Sequence, residues 1–308
     1  MKKEIIYELK PLYRDAVRVT GYRFGNGEKT LCIMGIFRGN EVQQLYICSQ
    51  LIKRLREMEE KGLLNTKKEV LVIPCANSAS INIGKRFWPT DNTDINRMFP
   101  GYEQGETTQR IAAGVFREIK DYEYGIQFAS NYMPGEFIPH IRIMKTGFEG
   151  VEEAKDFGLP FIVTKDPKPY DTTTLNYNWQ IWNCKAYSMY SSESSRIDVT
   201  SANETIDAVI NFMAKKGICS ADKKMVGESK VLNESTLCRI KNKHAGILDC
   251  KVEVKKQVKK NDVLAQIIDP YEGNVIEKVL APKDGVIFYR NSNPLTYANT
   301  VLFKLLEE

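Results

Sequence analysis

Short apolar segments alternate with amphipathic helical segments over about the first 217 residues, and this pattern limits the fold more than any other feature. Strands are predicted at 4–9, 13–24, 30–35, 68–74, 123–129, 138–144, 160–164 and 185–190. Between these strands, helices are predicted from apolar residues at helical spacing in segments 42–58, 111–119 and 206–213, with a short helical stretch at 151–157. Strands that alternate with helices indicate an α/β domain around a central, largely parallel sheet.

Asn26-Gly27 lies between the second and third predicted strands. This dipeptide is typical of a two-residue hairpin turn, so the two strands are expected to pair with each other.

The pattern changes after residue 217. From about residue 227 the chain has short strands broken by turns, predicted at 238–240, 252–254, 263–268, 285–289 and 301–305, and no helical period persists. The sequence therefore predicts two domains, residues 1–217 and 227–308, with a boundary near 218–228.

Composition excludes several classes of function. The 44 Lys+Arg residues against 39 Asp+Glu leave a formal charge of only +5, without a basic run typical of nucleic-acid binding. No stretch approaches 18 uninterrupted apolar residues, and the N-terminus lacks the apolar core of a signal peptide. The seven cysteines are scattered without a Cys-x-x-Cys spacing. We expect a cytoplasmic protein that binds neither nucleic acid nor membrane.

The segment from Arg86 to Gly101 is the most informative for function, because it combines turn formers with two arginines and an Asn96-Arg97 pair. An arginine can grip a carboxylate with two parallel hydrogen bonds, and an amide beside it can fix the orientation. The cluster therefore suits a substrate carboxylate. The alternative is that Asp91 or Asp94 pairs with these arginines and simply holds the loop.

The order of motifs along the chain resembles the succinylglutamate desuccinylase/aspartoacylase branch of the zinc carboxypeptidase-like superfamily. The resemblance rests on Gly35-Ile36-Phe37-Arg38-Gly39-Asn40-Glu41, on Asp94-Ile95-Asn96-Arg97-Met98-Phe99-Pro100-Gly101, and on Ala281-Pro282-Lys283-Asp284-Gly285. It covers roughly residues 28 to 305. It implies a three-layer α/β domain with a central mixed sheet of about eight strands, plus a small C-terminal all-β domain that flanks the pocket. It also implies that Arg86, Asn96 and Arg97 bind a substrate carboxylate.

The departures from the family pattern fall on the catalytic chemistry. The family's first-motif His and Glu, which bind zinc, correspond to Arg38 and Glu41, and its third ligand, a His, corresponds to Gln127. The catalytic Glu falls on Tyr190. Of the family's zinc ligands, only Glu41 is retained. An arginine cannot ligate a metal because it stays protonated, so no metal is expected here and no catalytic residue is assigned.

We expect the Arg38 guanidinium to take the place of the zinc ion and to pair with Glu41, which spares that carboxylate from being buried alone. Arg38 and Gln127 would then add to the substrate contacts. Only two histidines are present. His140 is expected to be structural near a sheet edge, with substitution as a metal ligand as the alternative. His244 is expected in the small domain. Glu193 could restore the general base only if the strand slipped by three residues.

Three functional hypotheses follow. The first is a pseudoenzyme with a degenerate zinc site that binds an acylated amino acid, a short peptide or another small carboxylate, without a cofactor. The second is an active hydrolase of an amide or ester, with zinc in a rearranged site or without metal, in which Tyr190 and Arg38 act as proton donor and oxyanion stabiliser. The third is a non-catalytic subunit that pairs with an active paralogue. The sequence leaves the oligomeric state and the ligand's identity open.

Overall fold

A computed structural model of the chain describes residues 1–10, 15–221 and 228–307. The strands in chain order are β1 (Lys2–Leu9), β2 (Val17–Phe24), β3 (Glu28–Ile36), β4 (Lys68–Cys75), β5 (Tyr124–Phe128), β6 (Gly135–Phe137), β7 (His140–Met144), β8 (Phe161–Lys165), β9 (Lys185–Tyr190), β10 (Lys230–Asn233), β11 (Cys238–Lys241), β12 (Gly246–Cys250), β13 (Gln257–Val258), β14 (Val263–Ile268), β15 (Val275–Leu280), β16 (Gly285–Asn291), β17 (Leu295–Thr296) and β18 (Val301–Glu307). The helices are α1 (Val42–Glu60), α2 (Ser78–Ile81), α3 (Thr107–Ile119), α4 (Val151–Ala154), α5 (Leu175–Ile181) and α6 (Val199–Lys215). Single 3₁₀ turns lie at Ile95–Arg97, Lys155–Phe157, Pro169–Asp171 and Glu234–Thr236.

Nine strands form one large mixed sheet in the order β1-β2-β4-β3-β5-β9-β7-β8-β10. The strands β4, β3, β5 and β9 run parallel to one another, as do β7, β8 and β10, whereas β7 is antiparallel to β9. The hairpin predicted at Asn26-Gly27 is wrong. Strand β4 lies between β2 and β3, and it pairs antiparallel with β2 and parallel with β3.

Helices cover both faces of this sheet, so the predicted three-layer arrangement is confirmed. Successive side chains of a strand point to opposite faces. Leu31 and Ile33 accordingly pack into the core under α1 and α6, whereas Cys32 and Met34 pack into the core under α3 and α5. Helices α3 and α6 bury the apolar stripe that their spacing predicted, and α1 buries its stripe from Cys48 onwards, whereas Val42 and Leu45 in its first turn are half-buried.

Two smaller antiparallel sheets follow β10, which itself pairs with β8 of the large sheet. One has the order β11-β18-β16-β13, with β6 paired to β16, and the other has the order β15-β14-β12-β17. The all-β character of this part is thus confirmed. The division near 218–228 stays a prediction, and residues 222–227 of it lie outside the described residues.

The strand predicted at 252–254 is absent, because these residues form a loop from which Val252 and Val254 pack against the core of the small sheets. Lys255, directly after it, has a φ of 69°, which an extended strand does not allow. Strands β6, β10, β12, β13, β15 and β17 were not predicted. Among the described residues, no helix is both long and apolar enough to cross a membrane.

Candidate functional site

A cavity of about 450 Å³ lies over the face of the large sheet that α3 and α5 cover in part. Its floor is made by side chains that point the same way from neighbouring strands: Gln127 of β5, Ser188 and Tyr190 of β9, Arg142 of β7 and Lys165 of β8. The segment after β3 supplies Arg38, and the loop after β4 supplies Arg86, Asn96 and Arg97. The structure therefore brings all six residues predicted for substrate binding or the general-base position into one cavity.

The loop that carries Arg38 is held by a buried asparagine that the sequence analysis did not single out. The Asn77 side chain donates from Nδ2 to the carbonyl oxygen of Phe37 at 2.9 Å, and its Oδ1 accepts from the backbone N–H of Ser80 at 3.1 Å. Gly39 packs directly on the backbone of Ser80 and Ile81, where a Cβ atom would lie only 2.0 Å from the Ser80 carbonyl oxygen. Only glycine fits there, and this close approach fixes where the loop turns.

Arg38 is buried between two carboxylates. Its Nη1 donates to Glu41 Oε1 at 3.0 Å, and its Nη2 donates to Asp94 Oδ2 at 2.8 Å. The predicted pair of Arg38 with Glu41 is therefore present, and Asp94 is an unpredicted second partner. Burial alone would lower the pKa of Arg38, but the charges of Glu41 and Asp94 outweigh it and raise the pKa above its ordinary value.

Both oxygens of Glu41 are engaged. Oε2 accepts from the backbone N–H groups of Phe37 and Arg38 at 3.1 and 3.2 Å, while Oε1 accepts from Arg38 and from the Ser130 hydroxyl. A zinc site needs lone pairs from three protein ligands that converge on one point. A guanidinium offers none, the Glu41 lone pairs already accept hydrogen bonds, and the described residues contain no group of three His, Cys, Asp or Glu side chains suited to a metal. The donor set at Arg38, Glu41 and Gln127 does not fit zinc.

The arginines of the 86–101 loop are not held by that loop's own aspartates. Asp94 binds Arg38, and Asp91 accepts from the backbone N–H of Thr93 at 2.9 Å. Arg86 stacks over the Tyr132 ring at 5.2 Å, its Nε is buried without a hydrogen-bond partner, and no described carboxylate lies within ion-pair distance of it. Burial and the charge of Arg38 lower the pKa of Arg86. A guanidinium in this state can form an ion pair with an anion that comes from outside the chain.

The other two residues of the cluster face the same cavity. Arg97 is 37% exposed, donates from Nη1 to the carbonyl oxygen of Tyr170 at 2.5 Å, and lies 3.8 Å from an oxygen of Asp171. Asn96 is buried, and its Oδ1 accepts from the backbone N–H of Leu175, which leaves its amide N–H₂ for a ligand.

Tyr190 is fixed by ring contacts rather than by a catalytic partner. Its ring stacks on the His140 ring with the two centroids 5.2 Å apart. The Arg142 guanidinium lies over the Tyr190 ring, 4.2 Å from its centroid. His140 is fully buried on an interior strand, so its expected place near a sheet edge is wrong. Its Nδ1 contacts the Ile138 carbonyl oxygen at 2.8 Å. Glu193 lines a smaller neighbouring pocket and accepts from Ser195, and His244 is exposed beside Glu277 in the small sheets.

A second group of charged residues lies at the other end of the cavity and was not predicted. Arg142, Lys165 and Arg239 line this end, with Glu234 among them. Lys304 donates to Glu234 Oε1 at 2.9 Å. Burial raises the pKa of Glu234, but Arg142 and Lys304 outweigh it and hold that pKa at about 2. The clue in the sequence was an arginine within the apolar strand Ile141-Arg142-Ile143, since a charged residue on a buried strand face needs a partner.

A large mixed sheet with helices on both faces, and smaller antiparallel sheets beside it, defines the zinc-carboxypeptidase-like fold class, which solved desuccinylase/aspartoacylase structures share. The match of residues 27–181 to the family model "Succinylglutamate desuccinylase/Aspartoacylase catalytic domain" gives the family. The chain belongs to the succinylglutamate desuccinylase/aspartoacylase family, whose members deacylate acylated amino acids.

Known relatives agree with this assignment. The N-alpha-acetyl-L-2,4-diaminobutyric acid deacetylase of Halomonas elongata is 23% identical over 293 residues, which are 89% of this chain and 80% of that protein. A succinylglutamate desuccinylase from Silicibacter sp. TM1040 superposes with a TM-score of 0.81 at 17% identity, over 99% of this chain and 94% of that one. A product-bound ectoine utilization protein from Ruegeria pomeroyi gives 0.78 at 16% identity, over 98% of each chain. At such identities the structural likeness establishes the fold.

Proposed function

We propose that this protein binds a small carboxylate-bearing molecule, an acylated amino acid or a short peptide, and does not hydrolyse it with zinc. The observation that carries the proposal is the position of the Arg38 guanidinium, between Glu41 and Asp94 where the family pattern calls for a zinc-bound histidine. The fixed cation takes over the charge-balancing role of the metal but offers no Lewis acid and no bound water.

The carboxylate of the ligand binds to Arg86, Arg97 and Asn96. Arg86 brings a guanidinium on a half-buried side chain that has no ion-pair partner among the described carboxylates. Arg97 and Asn96 line the same cavity and present further N–H donors. An arginine can form two parallel charge-assisted hydrogen bonds with one carboxylate, which a lysine cannot. A carboxylate is therefore bound more strongly by these arginines than it would be by lysines.

Hydrolysis also lacks a base at the position that the family pattern assigns to it. A phenol hydroxyl does not replace a carboxylate as proton acceptor, and the Tyr190 ring is clamped between His140 and Arg142. Tyr190 therefore serves as part of the binding surface.

The test is a screen of N-acetyl amino acids, N-succinyl amino acids and short peptides for thermal stabilisation. A ligand at 100 times its Kd stabilises the folded state by about 2.7 kcal/mol. We expect stabilisation of the wild type and of the control variant Arg117→Gln, because Arg117 forms only an exposed ion pair with Glu103. We expect it to be lost in Arg86→Gln. No stabilisation of the wild type by any acylated amino acid or short peptide would contradict the proposal.

Hydrolysis without metal has one observation in its favour. The Ser130 hydroxyl donates to Glu41 beside Arg38 on the cavity wall, which is the arrangement of a nucleophile next to a base. Amine release should then be measured on every ligand that binds. Turnover that disappears in Glu41→Gln and in Ser130→Ala, with binding retained, would replace the binding proposal by this one.

A further inference from the structure

Arg142 is an interior arginine whose hydrogen-bonding capacity is not used within the described part of the protein. Its side chain is only 11% exposed, and both Nε and Nη2 are buried without a hydrogen-bond partner. The nearest carboxylate oxygen, Glu234 Oε1, is 3.8 Å from Nη2 and already accepts from Lys304. A buried guanidinium with free donors is costly unless an anion completes it.

The surroundings of Arg142 carry more positive charge than the chain neutralises. Four cations line or adjoin this end of the cavity, and in the described part of the chain the carboxylates paired with them are Asp171 and Glu234. The four cations are Arg142, Lys165, Arg239 and Lys304, and the exposed Asp166 and Lys168, which also line the cavity, cancel each other in charge. The local excess is therefore two positive charges.

Two of these cations lie opposite each other on paired strands. Arg239 of β11 is the direct partner of Lys304 of β18. Like charges at opposed positions destabilise a sheet, and Glu234 neutralises only one of them. An arrangement that costs stability in the free protein is explained if a ligand supplies the missing negative charge.

Arg142 and Gln127 stand at opposite sides of the cavity floor. Arg142 stands on β7, and β9 lies between β7 and β5, which carries Gln127. Two strand spacings correspond to about 10 Å. One small ligand can therefore reach both ends with two different groups, but a single carboxylate cannot.

We propose that Arg142, Lys165 and Arg239 form a second anion-binding subsite and that it takes a phosphate-class dianion, such as the phosphate monoester of a ligand whose carboxylate binds at Arg86. The inference rests on the proposed function in one respect, because both place a small anionic molecule in the same cavity. A carboxylate would cancel one of the two excess charges, whereas a phosphate monoester carries nearly two negative charges at neutral pH and three acceptor oxygens. Arginine forks match phosphate as well as carboxylate.

Inorganic phosphate is the probe, and Arg86→Gln is the background, because phosphate could also bind at the Arg86 end. Titration calorimetry at low ionic strength compares Arg86→Gln with Arg86→Gln/Arg142→Gln. We expect the Kd for phosphate to rise at least about tenfold when Arg142 is replaced. Arg86→Gln/Arg142→Lys should fall between the two, and Arg86→Gln/Arg117→Gln should match the background. Arg239→Gln, an exposed position, tests the subsite without disturbing the interior.

Phosphate affinity that is unchanged by both Arg142→Gln and Arg239→Gln overturns the subsite. Acetate that binds the Arg86→Gln protein as tightly as phosphate overturns the dianion assignment. These outcomes are independent of the proposed function. The proposed function is contradicted when acylated amino acids do not stabilise the wild type. The subsite is contradicted when replacement of Arg142 leaves the Kd for phosphate unchanged.

Discussion

Replacing Arg38 by methionine tests whether this guanidinium stabilises the fold by pairing with the carboxylates of Glu41 and Asp94. The substitution keeps a long side chain but leaves Glu41 and Asp94, whose side chains are 4% and 11% exposed, without their cation. Removal of one partner from a buried ion pair costs about 3–5 kcal/mol, because the remaining charge is buried alone. We expect a loss of that size in urea unfolding at pH 7.

The loss should depend on Glu41. Arg38→Met/Glu41→Gln should recover about 1–3 kcal/mol, because it removes one of the two carboxylates that no longer have a cation. Arg117→Met, at an exposed pair, should stay within about 0.5 kcal/mol of wild type. A loss for Arg38→Met no larger than that of Arg117→Met, or one that Glu41→Gln does not relieve, would refute the reasoning.

Three further predictions concern the same region. Burial and the charge of Arg142 lower the pKa of His140 from 6.5 to about 3 in the folded state. Between pH 3 and pH 6.5 this histidine is therefore protonated in the unfolded state but neutral in the folded state. Wild-type stability should therefore fall as pH drops below 6.5, and His140→Phe should reduce this slope by up to about 1.4 kcal/mol per pH unit in urea unfolding; an unchanged slope would contradict it. Asn77→Ala should cost about 1–3 kcal/mol by the same assay, because it leaves the buried carbonyl oxygen of Phe37 unpaired, and a neutral effect would show that Asn77 does not hold the loop. Arg38→His/Gln127→His should gain Glu41-dependent zinc binding, measured by metal analysis after dialysis; no gain would mean that these positions do not converge.

Much of the large sheet could be predicted because its information is local. Apolar runs and helical spacing are properties of single segments, and the helices α1, α3 and α6 lie where their stripes placed them. Strand pairing is not local. The Asn26-Gly27 turn indicated a hairpin, but β4, which comes much later in the chain, takes the place between β2 and β3. Val252 and Val254 were mistaken for part of a strand for a different reason. Apolar residues at every second position suit a strand, but they also suit a loop that packs two side chains into the core.

The two ends of the cavity differ in the same way. Arg86, Asn96 and Arg97 belong to one loop, so a single ordered motif identified them. Arg142, Lys165, Arg239 and Lys304 come from four strands in two sheets, and only the folded chain brings them together. The role of Asp94 was also beyond the sequence, because a turn-forming aspartate there suits either a loop contact or the buried pair with Arg38 that the structure contains.

Zinc content tests the central claim most directly. Purified wild type and Glu41→Gln should be loaded with zinc, dialysed against a weak chelator and analysed for bound metal. The variant is needed because partly exposed cysteines such as Cys75 and Cys238 can take up zinc without forming a catalytic site. The same low zinc content is expected in both proteins, because the Arg38 guanidinium occupies the place of the metal. Stoichiometric zinc in the wild type that is lost in Glu41→Gln would contradict it, because Glu41 would then bind a metal and not the Arg38 guanidinium.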